Sequence, residues 1–440
     1  MKVAYLTSGA AGMFCGSCMH DNTLASALIK KGCDIQLIPT YTPIRTDEGD
    51  VSSDQIFFGG INIYLQQKIP FFRYLPRVLD RWLDNPRLIQ MLAARSMKTD
   101  PSDLGNLTIS MLKGESGFQR KEVKRLVDWL ENESKPDLVV FSNMLIGGCI
   151  PTIKKALKAP VLVTLQGDDL FIDFLPEPFK TTVKDLIKEP LRQVDGFIVP
   201  CKDYAEYMGD YLGISPEKFH LVPLGLNLDD FSKPPTPEKP PADDKTTSGQ
   251  SIGYLARISP EKGFHRLVDA FIQLKKMKGT EKACLKVAGW LGASNHEYFN
   301  QQKARLKKAG YADDFIFEEN IDRLAKIQFL NSLDVFSVPT TYREPKGLYI
   351  LEAMAASIPV IQPNHGAFPD IIRNTGGGCL FDPEDQNEPA KTIHHLLTHE
   401  KERKERGRRG REKVFSHYSA ESMADSALSI YHRFIKDWTN

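Results

Sequence analysis

Short apolar runs of strand length, each followed by a stretch of helical periodicity, constrain this chain more than any other feature. Five of them, "KVAYLT", "CDIQLIPT", "PDLVVFSN", "APVLVTLQG" and "DGFIVPC", come early. Six more, "SIGYLAR", "ACLKVAGW", "DFIFEE", "LDVFSVPT", "IPVIQPN" and "GGCLFD", begin at residue 251. Strands apolar on both faces that alternate with helices predict parallel sheets covered on either side. The two series are separated by "SKPPTPEKPPADDKTTSGQ", Ser232 to Gln250, which is rich in proline and almost devoid of apolar side chains. Such a stretch cannot bury a core and reads as a linker. At 440 residues the chain is also too long for one ordinary core. The expected organisation is an α/β domain over 1–231, the linker 232–250, a second α/β domain over 251–415 and a last helix over 416–440. That helix, "SAESMADSALSIYHRFIKDWTN", puts Met423, Ala427, Ile430 and Phe434 on one face.

Charge excludes some partners. Lys plus Arg number 57 against 56 Asp plus Glu, a net charge of +1, so no global field draws nucleic acid or an anionic membrane. Apolar and charged contents of 41% and 26% suit a soluble globular chain. "MKVAYLTSG" is too short for a signal sequence, and no run approaches the roughly 18 apolar residues of a spanning helix. A cytoplasmic location with reduced cysteines is expected. The segment 68–97 interleaves aromatics with Arg73, Arg77, Arg81, Arg87 and Arg95. It fits either a peripheral contact with an anionic membrane face or an outer helix with snorkelling arginines.

The turn after the first strand holds Cys15 and Cys18 in a C-x-x-C. This spacing suits a redox pair or half a zinc site. The same place in a doubly wound domain carries a glycine loop that approaches a ligand. Cys33, Cys149, Cys201, Cys284 and Cys379 are scattered, so nothing completes a zinc set, and no metal or cofactor is expected. The loop, with Gly12 and Gly16 as backbone and Ser17 as a donor, is the favoured functional feature.

The strongest chemical signal is "SVPTTYREPKGLYILEAMAASIPVI", read as strand, loop, helix and strand. Glu344 lies in the loop and Glu352 eight residues on, inside a helix expected to start near Gly347 or Leu348. Free N–H groups of a helix's first turn suit a phosphate, Gly347 allows close approach, and Lys346 adds a point charge. Carboxylates suit hydroxyls instead, and a nucleoside-diphosphate sugar offers hydroxyls on both sides of its diphosphate. "SIGYLARISPEKGFHRLVDAF" places Arg257 and Lys262 on the turn that opens the same domain. Two cations there can offset a diphosphate without a metal.

These stretches resemble the large retaining glycosyltransferase family of GT-B architecture whose hallmark is Glu-x7-Glu. The similarity extends over the opening glycine loop, "VTLQGDD", "LVPLGLNLDDF", "ARISPEKG", "EPKGLYILEAMA", "PNHGAFPDII" and the final helix. It implies two Rossmann-like, doubly wound domains facing each other across a cleft, with the last helix returning to the first domain. It further implies that Arg257 and Lys262 bind the donor diphosphate and that Glu352 takes the ribose hydroxyls. Glu344 would hold the transferred sugar, aided by backbone amides at Gly347 and Leu348. "FEENIDRLAKIQFL" would line the base pocket, and Gly366 to Pro369 would sit beside the donor. The acceptor, an unidentified hydroxyl compound, falls to the first domain with Gln166 and Asp168. Where many relatives carry a histidine in "VTLHG", this chain has Gln166, which hydrogen-bonds but does not exchange a proton near neutral pH. Two rival readings follow from single features: a non-catalytic sugar-nucleotide binder from Gln166, and a thiol oxidoreductase from the C-x-x-C.

Overall fold

The computed structural model describes residues 1–9, 15–53, 56–58, 101–232 and 250–439. Gly12, most of the linker and the arginine-rich segment 68–97 lie outside the described residues. The chain packs as two compact units, Met1–Pro223 with Glu421–Asn440, and Leu224–Ala420.

The first unit is built on a six-stranded parallel sheet in the order β2-β1-β3-β4-β5-β6. Its strands are β1 (Lys2–Thr7), β2 (Asp34–Pro39), β3 (Leu138–Phe141), β4 (Val161–Thr164), β5 (Gly196–Val199) and β6 (Phe219–Leu221). Five of these are the predicted runs. The sixth is three residues long with a half-exposed edge pattern, too short to stand out as a periodic signal. Every residue of β3, β4 and β5 is buried, as strands covered on both faces require.

The last helix, Ala420–Thr439, belongs to this unit. It buries Met423, Ala424, Ala427 and Tyr431. Tyr431 thus replaces the expected Ile430 at the centre of the stripe, because side chains four apart, 423, 427 and 431, share one face. Phe434 meets the His220 ring edge-on at 5.0 Å. A Cβ at Gly196 would come within 2.6 Å of the Phe434 ring, so a larger residue there would require that ring to shift.

The second unit repeats the architecture in the order β12-β11-β10-β7-β8-β9. Its strands are β7 (Ser251–Leu255), β8 (Cys284–Gly289), β9 (Phe315–Glu319), β10 (Val335–Phe336), β11 (Val360–Pro363) and β12 (Gly378–Phe381), all parallel. The chain starts at β7, fills one side with β8 and β9, then returns to lay β10 against the free side of β7. The loops leaving β7 and β10 therefore stand side by side where the strand order reverses, the switch point at which doubly wound sheets open a crevice.

The first unit ends at Pro223 rather than at the expected 231. Residues 224–232 are held by the second unit. Leu226 exchanges backbone hydrogen bonds with Tyr418 and Ala420, both at 2.8 Å, and the Arg411 guanidinium donates to the carbonyl of Phe231. Among the described residues no helix is long and apolar enough to cross a membrane.

Candidate active site

The second unit concentrates the predicted residues at the carboxyl ends of β7 and β10. Tyr254, fully buried in β7, directs its hydroxyl to the carbonyls of Arg257 and Lys262, at 3.3 and 3.5 Å, and so supports the turn between them. Gly263 closes that turn at φ +71°. A side chain there would drive into the Pro339 carbonyl, so the turn can lie directly on the loop that follows β10. Thr341 N–H donates to the Glu261 carbonyl at 2.9 Å and ties the two loops together. This docking brings Lys262 to Glu344 across 82 residues of sequence.

Glu344 is 5% exposed and its carboxylate is crowded with donors. Lys262 Nζ lies 2.6 Å from Oε2, Tyr342 OH 2.8 Å and Tyr349 OH 2.9 Å from the same oxygen. Burial alone would push this carboxyl up. The Lys262 charge and hydrogen bond, with the two phenols, outweigh it and hold the group down at about 2. The backbone of Glu344 is also fixed. Its carbonyl accepts from Ala367 N–H at 2.8 Å, and Gly366, at φ +61°, leaves room for the turn: a Cβ would sit 2.5 Å from the Glu344 oxygen.

The helix Leu348–Ala355 begins where the sequence placed it, with Gly347 as its cap at φ +77°. Glu352, on its buried side, pairs with Lys326 at 2.5 Å, and the two side chains are 10% and 9% exposed. Lys326 comes from the helix Arg323–Asn331, which Asp322 caps by accepting from Ala325 N–H at 2.8 Å. Arg257 points outward. Its guanidinium is 45% exposed and paired to Glu261 at 2.6 Å. Lys346, expected beside the helix N-terminus as a point charge, is only 7% exposed.

In the first unit Gln166 and Asp168 are embedded in a polar core. The Gln166 amide donates to Asp21 Oδ1 at 2.8 Å and to the Ser142 carbonyl at 3.3 Å. Asp21, fully buried, also accepts from Tyr5 OH and Thr7 Oγ1, each at 2.8 Å, and sits 3.1 Å from His20 Nδ1. Asp168 accepts from Met144 N–H at 2.6 Å and Gln166 N–H at 3.2 Å. Burial lifts its carboxyl to about 6 against these amides. A carboxyl raised from 3.8 to about 6 stabilises the fold below pH 3.8 and loses that contribution as pH rises through 6. The advantage of the native chain over Asp168→Asn should therefore shrink by about 3 kcal/mol between about pH 4 and 7 in thermal melts. Glu344 works the other way, stabilising above 4.5 and failing only as pH falls through about 2. Gly16 and Ser17 open the helix Gly16–Lys30, with Cys15 at its cap and Cys18 buried, and all seven cysteines are free thiols.

Sequence reading missed Tyr342, Tyr349 and the pairing of Lys326. The tyrosines flank Glu344 closely enough to have been suspected. Lys326 falls in the stretch expected to line the base pocket, but its pairing with Glu352 gave no signal, since only packing of one helix against another brings the two together.

Residues 236–413 match the sequence model of glycosyl transferases group 1, and residues 110–230 match that of glycosyltransferase family 4. Residues 236–413 therefore carry the sequence signature of the group 1 glycosyl transferases. Relatives include the capsular polysaccharide biosynthesis glycosyltransferase CapM of Staphylococcus aureus, 29% identical over 42% of this chain and 47% of that protein. The D-inositol 3-phosphate glycosyltransferase of Mycobacteroides abscessus is 27% identical over 64% of this chain and 60% of its own. The chain thus spans about half to three-fifths of the length of the curated relatives it matches. Among solved structures, sucrose-phosphate synthase from Thermosynechococcus elongatus superposes with a TM-score of 0.70 at 18% identity, covering 99% and 100% of the two chains. HepE from Anabaena, solved in complex with UDP, gives 0.68 at 15%, covering 98% and 100%. Those two likenesses show that the fold is GT-B.

Proposed function

We propose that this chain transfers a sugar from a nucleoside-diphosphate sugar to a hydroxyl acceptor, with retention at the anomeric carbon and without a metal ion. The observation that carries the reading is the Lys262–Glu344 pair, which lies at the switch point beside the N-terminus of the helix Leu348–Ala355. A diphosphate needs cations and free N–H groups, and Lys262, Arg257 and the amides at Gly347 and Leu348 supply both. A sugar ring needs an ionised acceptor for its hydroxyls, and Glu344 stays ionised far below neutral pH. Glu352 offers a second carboxylate to the ribose hydroxyls. HepE was solved with UDP and with UDP-glucose, which favours a nucleotide-sugar donor here as well.

In the retaining reaction the acceptor attacks from the face that the diphosphate leaves, and the departing phosphate takes the acceptor proton. The protein then contributes position and charge rather than a nucleophile. That division of labour fits a site whose carboxylate is held as an anion by three donors. Release of nucleoside diphosphate from UDP-, GDP- and ADP-sugars, with and without EDTA, tests the reading. One donor should be hydrolysed at the same rate in both conditions, and Glu344→Ala should abolish release. Binding without turnover in every case would instead favour a sugar-nucleotide binding protein.

A further inference from the structure

Three donors converge on one oxygen of Glu344. A carboxylate offers about four acceptor positions, two on each oxygen, so three donors more than fill Oε2. Oε1 accepts none among the described residues. Lys262 is equally committed, with one N–H to Glu344 Oε2 at 2.6 Å and another to Tyr342 OH at 2.5 Å. Tyr342 accepts from the ammonium and passes its own proton toward the carboxylate at 2.8 Å. The ammonium also lies 5.1 Å from the Tyr342 ring centroid and 5.2 Å from that of Tyr349, so two aromatic faces wall it in.

Without the tyrosines, a flexible lysine and a flexible glutamate would each have several rotamers to lose when a donor arrives, and their mutual pairing could be made through either carboxylate oxygen. The phenols remove that freedom in advance. One comes from the loop after β10 and the other from the first turn of the helix Leu348–Ala355, so the arrangement is set by two separate elements.

We propose that Tyr342 and Tyr349 are positioning residues of the transfer reaction, whose hydroxyls fix Lys262 and Glu344 as one preassembled unit that presents Glu344 Oε1 to the sugar. The proposal rests on the donor-site reading above. Preorganised dipoles and charges count only if they are already in place when charge develops, so loss of a hydroxyl acts on turnover more than on binding.

The test uses Tyr342→Phe and Tyr349→Phe in the full chain, each keeping its ring. The substrate is whichever of UDP-, GDP- and ADP-glucose the native protein hydrolyses. Each variant should lose about ten- to a hundredfold in kcat, the worth of a hydrogen bond to a charged group, with KM for the donor changed less than about threefold. A second readout separates positioning from structural support. Each hydroxyl lowers the Glu344 carboxyl, so its removal raises that group, and variant turnover should begin to fall at a higher pH on the acid side than native turnover does. If one variant fails to fold, the other carries the same prediction. Native kcat with an unshifted acid profile in a folded variant would overturn the proposal while leaving the donor site intact. A native chain inert toward all three donors would instead remove the reading on which it rests.

Discussion

Lys262→Met should lower donor turnover by about a hundred- to a thousandfold, the usual effect of deleting a charge-stabilising group. It should also destabilise the protein by about 3 kcal/mol, because it strands a buried carboxylate without its cation. For a unit of this size that corresponds to a fall of about 6 to 12 °C in melting temperature. The reason lies in the balance at Glu344. Burial pushes its carboxyl up, the Lys262 ammonium and the two phenols bring it down to about 2, and removing the ammonium lets burial dominate. A carboxyl raised in the folded state loses stability as pH rises, so the deficit of the variant should be smaller near pH 4 than at pH 7. The double variant Lys262→Met/Glu344→Gln should recover most of the stability, since no unpaired charge remains, and none of the turnover. Melting curves and initial rates on the three chains form a cycle that separates the two effects. Equal stability of the single and double variants at pH 7 would show that Glu344 does not depend on Lys262.

Gly263→Ala should be the most damaging single methyl in the second unit. The residue sits at φ +71°, which a side chain seldom adopts, and its Cβ would collide with the Pro339 carbonyl. Strain and overpacking together cost about 3 kcal/mol or more. Gly310→Ala is the matching control. It has φ +86° but nothing within 4 Å of the added atom, so only the backbone strain of about 1 kcal/mol applies. Melts of the two variants should differ by about 2 kcal/mol. Because Gly263 lets the Lys262 turn lie on the loop that carries Glu344, its alanine variant should also lose donor turnover, and Gly310→Ala should not. Equal melting temperatures would mean that the two loops separate without penalty.

Much of this protein is legible before any coordinates. Eleven of the twelve strands are continuous apolar runs, and a run buried on both faces in an α/β alternation has few alternatives to a parallel sheet. The start of the helix Leu348–Ala355 is legible because glycine before an apolar helical stretch marks a cap. The residues of the site are legible one at a time, as cations on turns and carboxylates at a spacing of eight. What sequence misplaces are the ends. Residues 224–232 read as the tail of the first domain because the proline-rich stretch follows them. Packing assigns them to the second unit, through backbone bonds from Leu226 to residues nearly two hundred positions away.

The polar assignments in the first unit show the same division. Gln166 and Asp168 are singled out by the family resemblance of "VTLQGDD", but nothing in that stretch reveals that the amide is bound to Asp21 or that Asp168 accepts two backbone N–H groups. A polar side chain at the end of a strand has the same sequence signature whether it faces a ligand or closes a buried network.

By itself, then, the sequence determined the architecture, since hydrophobic burial depends on the order of apolar and polar residues along the chain, and order is what a sequence records. It also determined which residue types stand at the carboxyl ends of the strands. Only the tertiary structure decided the partners: Lys262 with Glu344, Lys326 with Glu352, and the two tyrosines on Oε2. Charge and hydrogen bonding fall off within a few ångströms, and which groups come that close is settled by how β7 and β10 lie side by side, not by their separation in sequence.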